Sequence, residues 1–140
     1  MRHYLIVANQ TLAGRHLIEE VERRMEAGPC HFHIVVPATP PHLHLTWTEG
    51  EARAIAQERL DQALFELRDR GADVSGVVGA ERALDAIADA CRAASPPFDE
   101  VIVSTLPLRS SHWLRQALPQ RAERLTGLPV THVLAETADT

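Results

Sequence analysis

Short apolar runs rich in β-branched residues alternate along the chain with longer segments in which apolar residues recur every three or four positions. The short runs are typical of buried strands, and the longer segments are typical of amphipathic helices. Strands that alternate with helices of ten or more residues predict right-handed crossovers and a parallel sheet. We therefore predict an α/β fold built as a three-layer sandwich, with five parallel strands at residues 4–8, 32–36, 74–78, 101–103 and 130–134.

Four helices are predicted from the same periodicity and from residues that start or stop a helix. Gly28 and Pro29 end the first helix, and Thr48 with Glu51 has the spacing of a capping box at the start of the second. Residues 38–49 are too irregular for a helix or strand and are predicted to form a loop, and residues 136–140 a free tail. The fourth helix is expected to carry one continuous apolar face of Leu114, Ala117, Leu118, Ala122 and Leu125.

The stretch from residue 101 to residue 134 is the first place to look for a ligand site. Ser104 and Thr105 end the fourth strand, and a loop rich in hydrogen-bonding side chains leads from them to the last helix. In an open parallel sheet, ligands bind where the strands end and where the N–H groups of the following helices point outward. We therefore expect a binding site at the carboxyl ends of the strands.

The composition narrows the choice of partners and compartments. A chain of 140 residues with 45% hydrophobic residues is long enough for one domain, which we assign to residues 1–140. Its net charge of −5 argues against nucleic acid as a partner, and all 14 basic residues are arginine, so no lysine can form a Schiff base. The first ten residues lack the apolar segment of a secretory signal, and no membrane span is visible, so we expect a cytoplasmic protein.

The order of these elements and several local patterns resemble the universal stress protein family over nearly the whole chain. Asn9 and Thr11 in YLIVANQT stand where the family has an Asp-x-Ser turn, and VVGAERAL, PFDEVIVS and GLPVTHV match later segments. This resemblance implies a Rossmann-like sheet in the order 3-2-1-4-5 and a function in the stress response. It also implies a nucleotide crevice between strands one and four, with Asn9 and Ser104 facing it.

The ATP-binding branch of that family carries a glycine motif after strand four, and this sequence departs from it at every position. Ser104, Pro107, Ala117 and Leu118 occupy the places of the motif, and Pro119 follows. Proline has no N–H to donate to a phosphate, and leucine has no hydroxyl. The resemblance therefore predicts a weakened site, at which ATP or another adenine nucleotide would bind poorly.

The arginines of the loop after strand four could serve another ligand. Arg109 and Arg115 flank hydroxyl residues, including Ser110, and two guanidinium groups near hydroxyls can receive a phosphate or a carboxylate. Such residues more commonly lie on the surface or cap a short helix. The candidate binding residues are Asn9, Thr11, Ser104, Thr105, Arg109, Ser110 and Arg115.

Two further patterns carry less weight. His31 with His33 and His42 with His44 form two H-x-H pairs, but no acidic or cysteine ligand stands at metal spacing near them, so no metal site is predicted. Ser111, His112 and Asp99 could suggest a nucleophilic triad, but neighbouring residues on a helix do not face each other. No catalytic residue is assigned.

The last strand should lie at an edge of the sheet, where unpaired backbone groups invite another chain. In the family two copies join through this strand, so the resemblance implies a homodimer through Val130, His132 and Leu134. The leading hypothesis is a non-catalytic, dimeric binding or regulatory protein with a diverged nucleotide site. The alternatives are an enzyme with weak ATP hydrolysis or transfer and a structural interaction module that binds no small ligand.

Overall fold

The computed structural model describes residues 1–12, 14–39, 48–107 and 112–135, except for the side chains of Glu49, His112 and Arg115. Five strands form one sheet in which all neighbouring strands are parallel. The strands are β1 (Arg2–Val7), β2 (Cys30–Pro37), β3 (Val74–Gly79), β4 (Glu100–Thr105) and β5 (Val130–Leu134). Their order is β3-β2-β1-β4-β5, which confirms the predicted fold class and strand order.

Helices connect the strands, and two of the helix ends show capping geometry. The helices are α1 (Arg15–Ala27), α2 (Glu49–Asp69), α3 (Ala83–Ala93), α4 (His112–Arg115) and α5 (Leu118–Thr126). The Thr48 hydroxyl accepts the backbone N–H of Glu51 at 3.1 Å, as the capping-box spacing predicts. Gly127 follows α5 with φ of 71°, a left-handed conformation that favours glycine. Within the described residues, no helix combines the length and apolarity needed to cross a membrane.

Two apolar layers lie on opposite faces of the sheet because side chains alternate along each strand. On one face, Ile6, Ile34 and Ile102 are fully buried with residues of α1 and α2. On the other face, Leu5 and Val103 are fully buried with residues of α3 and α5. The central strands therefore read as continuous apolar runs, since both of their faces are covered.

A network of charged groups lies at the amino-terminal edge of the sheet, opposite the edge where a ligand is expected. Arg24, in the last turn of α1, donates to Glu20 at 2.7 Å and to Glu100 at 2.7 Å. It also donates to the Thr131 hydroxyl at 3.0 Å and lies over the Tyr4 ring, 5.1 Å from its centroid. One guanidinium thus ties α1 to the first residue of β4 and to β5.

Three parts of the sequence-based interpretation lie outside the described residues. They are most of the predicted loop, at residues 40–47, which holds His42 and His44, the tail at residues 136–140, and residues 108–111 of the ligand loop.

Candidate functional site

The carboxyl ends of β1 and β4 meet at two hydroxyl groups. The Thr11 Oγ1 and Ser104 Oγ atoms lie 2.5 Å apart, and both residues are at least 98% buried. The parallel pairing of β1 with β4 brings them together although they are 93 positions apart in the chain. Each hydroxyl already has a partner within the protein, so a ligand here would have to compete with this bond.

Asn9 has partners for both ends of its amide. Its Nδ2 donates to the Pro37 carbonyl at 2.8 Å, and its Oδ1 accepts from the Arg59 guanidinium at 2.5 Å. Arg59 comes from α2, and burial lowers the pKa of its guanidinium. Asn9 is predictable from the sequence, but Arg59 is not, because a residue on a helix 50 positions away carries no local sign that it reaches the end of β1.

Thr105 pairs with the edge strand. Its Oγ1 lies 2.7 Å from His132 Nε2, and partial burial lowers the pKa of this imidazole. The Thr105 side chain lies on the α3 and α5 face, whereas Ser104 lies on the other face, because successive residues of a strand point in opposite directions. These two neighbouring residues therefore cannot act on one ligand from the same side of the sheet.

The closing helix differs from its prediction. The sequence predicted one continuous apolar face from Leu114 to Leu125, but the structure divides the segment into α4 and α5. Ala117 stands between them with φ of 55° and ψ of 44°, and Pro119 supplies no N–H in the first turn of α5. The apolar residues keep their helical spacing across the break, because one residue in a left-handed conformation does not change the spacing of its neighbours along the sequence.

Ala117 occupies one of the places where the resemblance expects a glycine. Its positive φ is the conformation that glycine adopts without steric cost, whereas alanine pays roughly 1–2 kcal/mol for it. Ala117 therefore stands in a turn whose left-handed conformation glycine would adopt more easily.

The remaining predicted binding residues can be placed only in part. Arg109 and Ser110 lie outside the described residues. The backbone of Arg115 ends α4, but its side chain also lies outside the described part.

A cleft of about 160 Å³ opens between the start of α3 and the segment formed by α4 and α5. Its polar lining includes Arg82 before α3 and Arg121 in α5, and Trp113 supplies an aromatic wall; further lining residues are Thr39, Glu81 and Gln116. Neither arginine was among the binding residues predicted from the sequence. A weak sign of an anion site was present in the sequence, since Arg82 precedes one helix and Arg121 lies near the start of another, and helix N-termini favour anions.

The two histidine pairs that were weighed as metal ligands are also partly described. His31 and His33 share one face of β2, as their spacing predicts. No group of three or more histidine, cysteine, aspartate or glutamate residues is arranged to hold a metal ion in the part of the chain that the structure describes.

Comparison with known proteins gives a clear result at the level of the fold. No family model matches this chain, and no curated protein matches its sequence. The structure of a universal stress protein from Archaeoglobus fulgidus aligns with a TM-score of 0.56 at 15% identity, covering 95% of this chain and 93% of that one. A structure of the Archaeoglobus fulgidus protein in complex with dAMP aligns with a TM-score of 0.55 at 15% identity, covering 95% and 98%.

A further structure leads to the same conclusion. A protein of the universal stress protein family from Burkholderia pseudomallei aligns with a TM-score of 0.57 at 16% identity and covers 94% of each chain. The chain therefore has the fold of the universal stress proteins, as the sequence resemblance predicted.

Proposed function

We infer that this chain is a cytoplasmic, dimeric binding or regulatory protein of the universal stress protein class, with a diverged and non-catalytic nucleotide site. The observation that carries this proposal is the state of the polar groups at the carboxyl ends of β1 and β4. Asn9 is held by Arg59 and the Pro37 carbonyl, and Thr11 is bonded to Ser104. The side chains that a nucleotide would use already have hydrogen-bond partners within the protein.

The energetic consequence can be bounded. Charge-assisted hydrogen bonds contribute about 1.5–3 kcal/mol each. At the start of α5, Leu118 has no hydroxyl and Pro119 has no N–H to donate to a phosphate. The loss of two or three such bonds would move a micromolar nucleotide Kd to about millimolar or weaker. An adenine nucleotide is still the first ligand to test, because a structurally similar protein has been solved with dAMP.

A small anion fits the cleft between α3 and α5 better than a triphosphate. The cleft has a volume of about 160 Å³ and places Arg82 and Arg121 on its walls. Two guanidinium groups can hold a phosphate or carboxylate in a bidentate manner. The loop with Arg109, Ser110 and Arg115 is the second candidate location for this ligand.

Thermal unfolding with added ligands separates these locations. MgATP, dAMP and inorganic phosphate are added to the purified protein, and each shift is compared between Arg121→Ala, Arg109→Ala and Arg124→Ala. Arg124 is the matched control, since it lies on α5 one turn beyond the cleft lining. A ligand at one hundred times its Kd should stabilise the protein by about 2.7 kcal/mol.

The proposal expects little shift with MgATP and a phosphate shift that Arg121→Ala removes while Arg124→Ala keeps it. Loss of the shift only in Arg109→Ala would move the ligand to the loop after β4. A calorimetric titration that gave a micromolar Kd for MgATP would overturn the divergence of the nucleotide site.

The geometry of β5 supports the dimer. Val101 donates to the Pro129 carbonyl, and Ala135 donates to the Thr105 carbonyl, both at 2.9 Å. Because the backbone groups of a parallel strand point alternately to its two sides, every second residue of β5 directs its N–H and C=O toward β4, and the others direct theirs away from the sheet. The backbone groups of Val130, His132 and Leu134 point away, and these are the three residues that the resemblance assigns to the dimer.

Two leucines of similar exposure provide a matched test of the dimer. Leu134 on β5 is 50% exposed, and Leu125 on α5 is 49% exposed. Leu134→Lys should dissociate the dimer in sedimentation at micromolar concentration, whereas Leu125→Lys should leave it intact. A monomer in the unmodified protein, or dissociation by both variants, would exclude β5 as the interface.

A further inference from the structure

Polar side chains of β2 and β3 form a hydrogen-bonded chain at the amino-terminal end of the sheet. His31 and His33 lie on the α3 face of β2, and Ser75 of β3 lies on the same face in register with His33. The Ser75 Oγ lies 3.0 Å from His31 Nε2 and 2.8 Å from His33 Nδ1. The other ring nitrogen of His31, Nδ1, lies 3.2 Å from the Asp73 carboxylate.

These partners determine the direction of each hydrogen bond. The Asp73 carboxylate, 3.2 Å from Nδ1 of His31, favours the tautomer with its hydrogen on Nδ1, which leaves Nε2 as the acceptor of a neutral imidazole. The Ser75 hydroxyl then donates to His31 Nε2, and it accepts the Nδ1–H of His33. Both hydrogen bonds of Ser75 are satisfied at once by neutral histidines. Together with the Asp73 contact, they give the order carboxylate, imidazole, hydroxyl found in serine nucleophiles.

The surroundings leave the hydroxyl within reach of a small molecule. Ser75, His31 and His33 are each half-buried. Val77, the next side chain of β3 on this face, is 47% exposed. The Phe98 ring stacks on His33 at 6.0 Å between centroids, which gives the polar chain an apolar side.

His33 is suited to remain neutral beside the hydroxyl. Burial lowers the pKa of its imidazole, and the nearby His31 acts in the same direction. A neutral His33 keeps its Nδ1–H aimed at the Ser75 oxygen, where negative charge would develop if that hydroxyl lost its proton.

We propose that Ser75 is a nucleophile toward small carboxylic esters, with His31 as its general base and Asp73 as the residue that positions His31. The Ser75 oxygen bonds to the ester carbonyl carbon while its proton passes to His31 Nε2. The bond to the leaving alkoxide breaks, and that oxygen takes the proton from His31. Water then attacks the acyl serine, His31 takes a proton from the water, and Ser75 recovers it as the carboxylic acid departs.

This site is separate from the proposed nucleotide and anion sites. His31 and Ser75 lie near the starts of β2 and β3, whereas the cleft is lined by residues that follow the ends of these strands. The result for one site therefore does not decide the result for the other.

The test uses 4-nitrophenyl acetate and the full chain. Release of 4-nitrophenolate is followed by absorbance, and the acetylated residue is located by peptide mass. The chain is well suited to this test because it has no lysine that could be acetylated in the background. The proposal expects a burst of 4-nitrophenolate and an acetyl group on Ser75.

Variants assign the roles. Ser75→Ala should abolish the burst, and His31→Gln should slow acetylation of Ser75 by about 100-fold or more. Asp73→Asn should slow it by about tenfold, with recovery in Asp73→Glu, whereas a merely structural carboxylate would change the thermal stability and leave this rate alone.

Two matched controls and one retained nucleophile complete the design. His3→Gln and Asp99→Asn are a histidine and an aspartate substitution beside the site. The His3 ring centroid lies 6.0 Å from that of His31, and Asp99 accepts the backbone N–H of His3. Neither residue has a role in the proposed reaction, so both variants should keep the rate of the unmodified protein. If Ser75→Ala folds poorly, Ser75→Cys must become the acetylated residue instead. Absence of acetyl on residue 75 in the unmodified protein, or an unchanged rate in His31→Gln, would overturn the proposal.

Discussion

Replacement of Arg24 by methionine should destabilise the protein far more than any surface ion pair would suggest. Arg24 is the shared partner of Glu20 and Glu100, and each of these glutamates is only 9% exposed. Methionine keeps much of the side-chain volume but leaves two carboxylates in a largely buried place without their guanidinium. Breaking a buried ion pair from one side costs about 3–5 kcal/mol.

Two other arginines near these glutamates place the expected loss of stability at the lower end of that range. Arg23 still pairs with Glu20, and Arg2 lies 3.9 Å from Glu100, but the side chains of these two arginines are 67% and 56% exposed and are screened by solvent. We expect a loss of about 3 kcal/mol in the free energy of unfolding, which corresponds to a fall in Tm of roughly 10 °C for a domain of this size.

Urea unfolding followed by circular dichroism at pH 7 measures this loss. Arg23→Met is the matched control and should cost less than about 1 kcal/mol, because Arg23 is exposed and contacts only one of the glutamates. The double variant Arg24→Met with Glu100→Gln should recover part of the loss, since it removes one of the stranded charges. An Arg24→Met protein within about 1 kcal/mol of the unmodified chain would refute the reasoning.

The pH dependence of the same variant gives a second check. Desolvation acts to raise the pKa of Glu100, but hydrogen bonds from Arg24 and Thr131 outweigh it, so this pKa lies below its ordinary value of 4.5. A lowered carboxyl pKa contributes stability that is present above the unfolded value and is lost as the pH falls through the folded one. The difference between the unmodified chain and Arg24→Met should therefore shrink below about pH 4.5.

Three further outcomes follow from other parts of the structure. Ala117→Gly should be neutral or should stabilise the protein by up to about 1 kcal/mol in urea unfolding, because glycine relieves the positive φ; a loss above 1 kcal/mol would contradict this. The pKa values of His33 and His132 are both lowered from 6.5, so the unfolded chain binds more protons than the folded chain below that pH. The free energy of unfolding should therefore fall as the pH drops through 6.5. An unchanged Tm between pH 7.5 and 5.5 would exclude this effect. Gly79→Ala should lower the free energy of unfolding by about 1–3 kcal/mol, since a Cβ there would lie 2.8 Å from a side chain of α3. Gly50→Ala should cause no loss, because the nearest atom to its Cβ would be 3.9 Å away. Equal effects of the two substitutions would show that packing does not decide the difference.

The fold was readable because its signals are local. A β-branched run such as residues 101–103 marks a buried strand without knowledge of its neighbours, and Thr48 with Glu51 marks a helix start within four residues. The exact strand order needed the family resemblance, since apolar runs do not state which strand lies beside which. The break at Ala117 escaped the same analysis, because one residue in a left-handed conformation leaves the apolar spacing of its neighbours almost unchanged.

The sequence by itself determined the succession of strands and helices along the chain, the parallel sheet and the polar character of the turns after β1 and β4. Only the tertiary structure decided which of these polar groups are engaged, because Asn9 meets Arg59 and Thr11 meets Ser104 across 50 and 93 positions. The same holds for Ser75, which the sequence places far from His31 and the sheet register places beside it. Secondary structure follows from neighbours along the chain, whereas hydrogen-bond partners follow from neighbours in space, and the physical link between the two is the packing of the whole sheet.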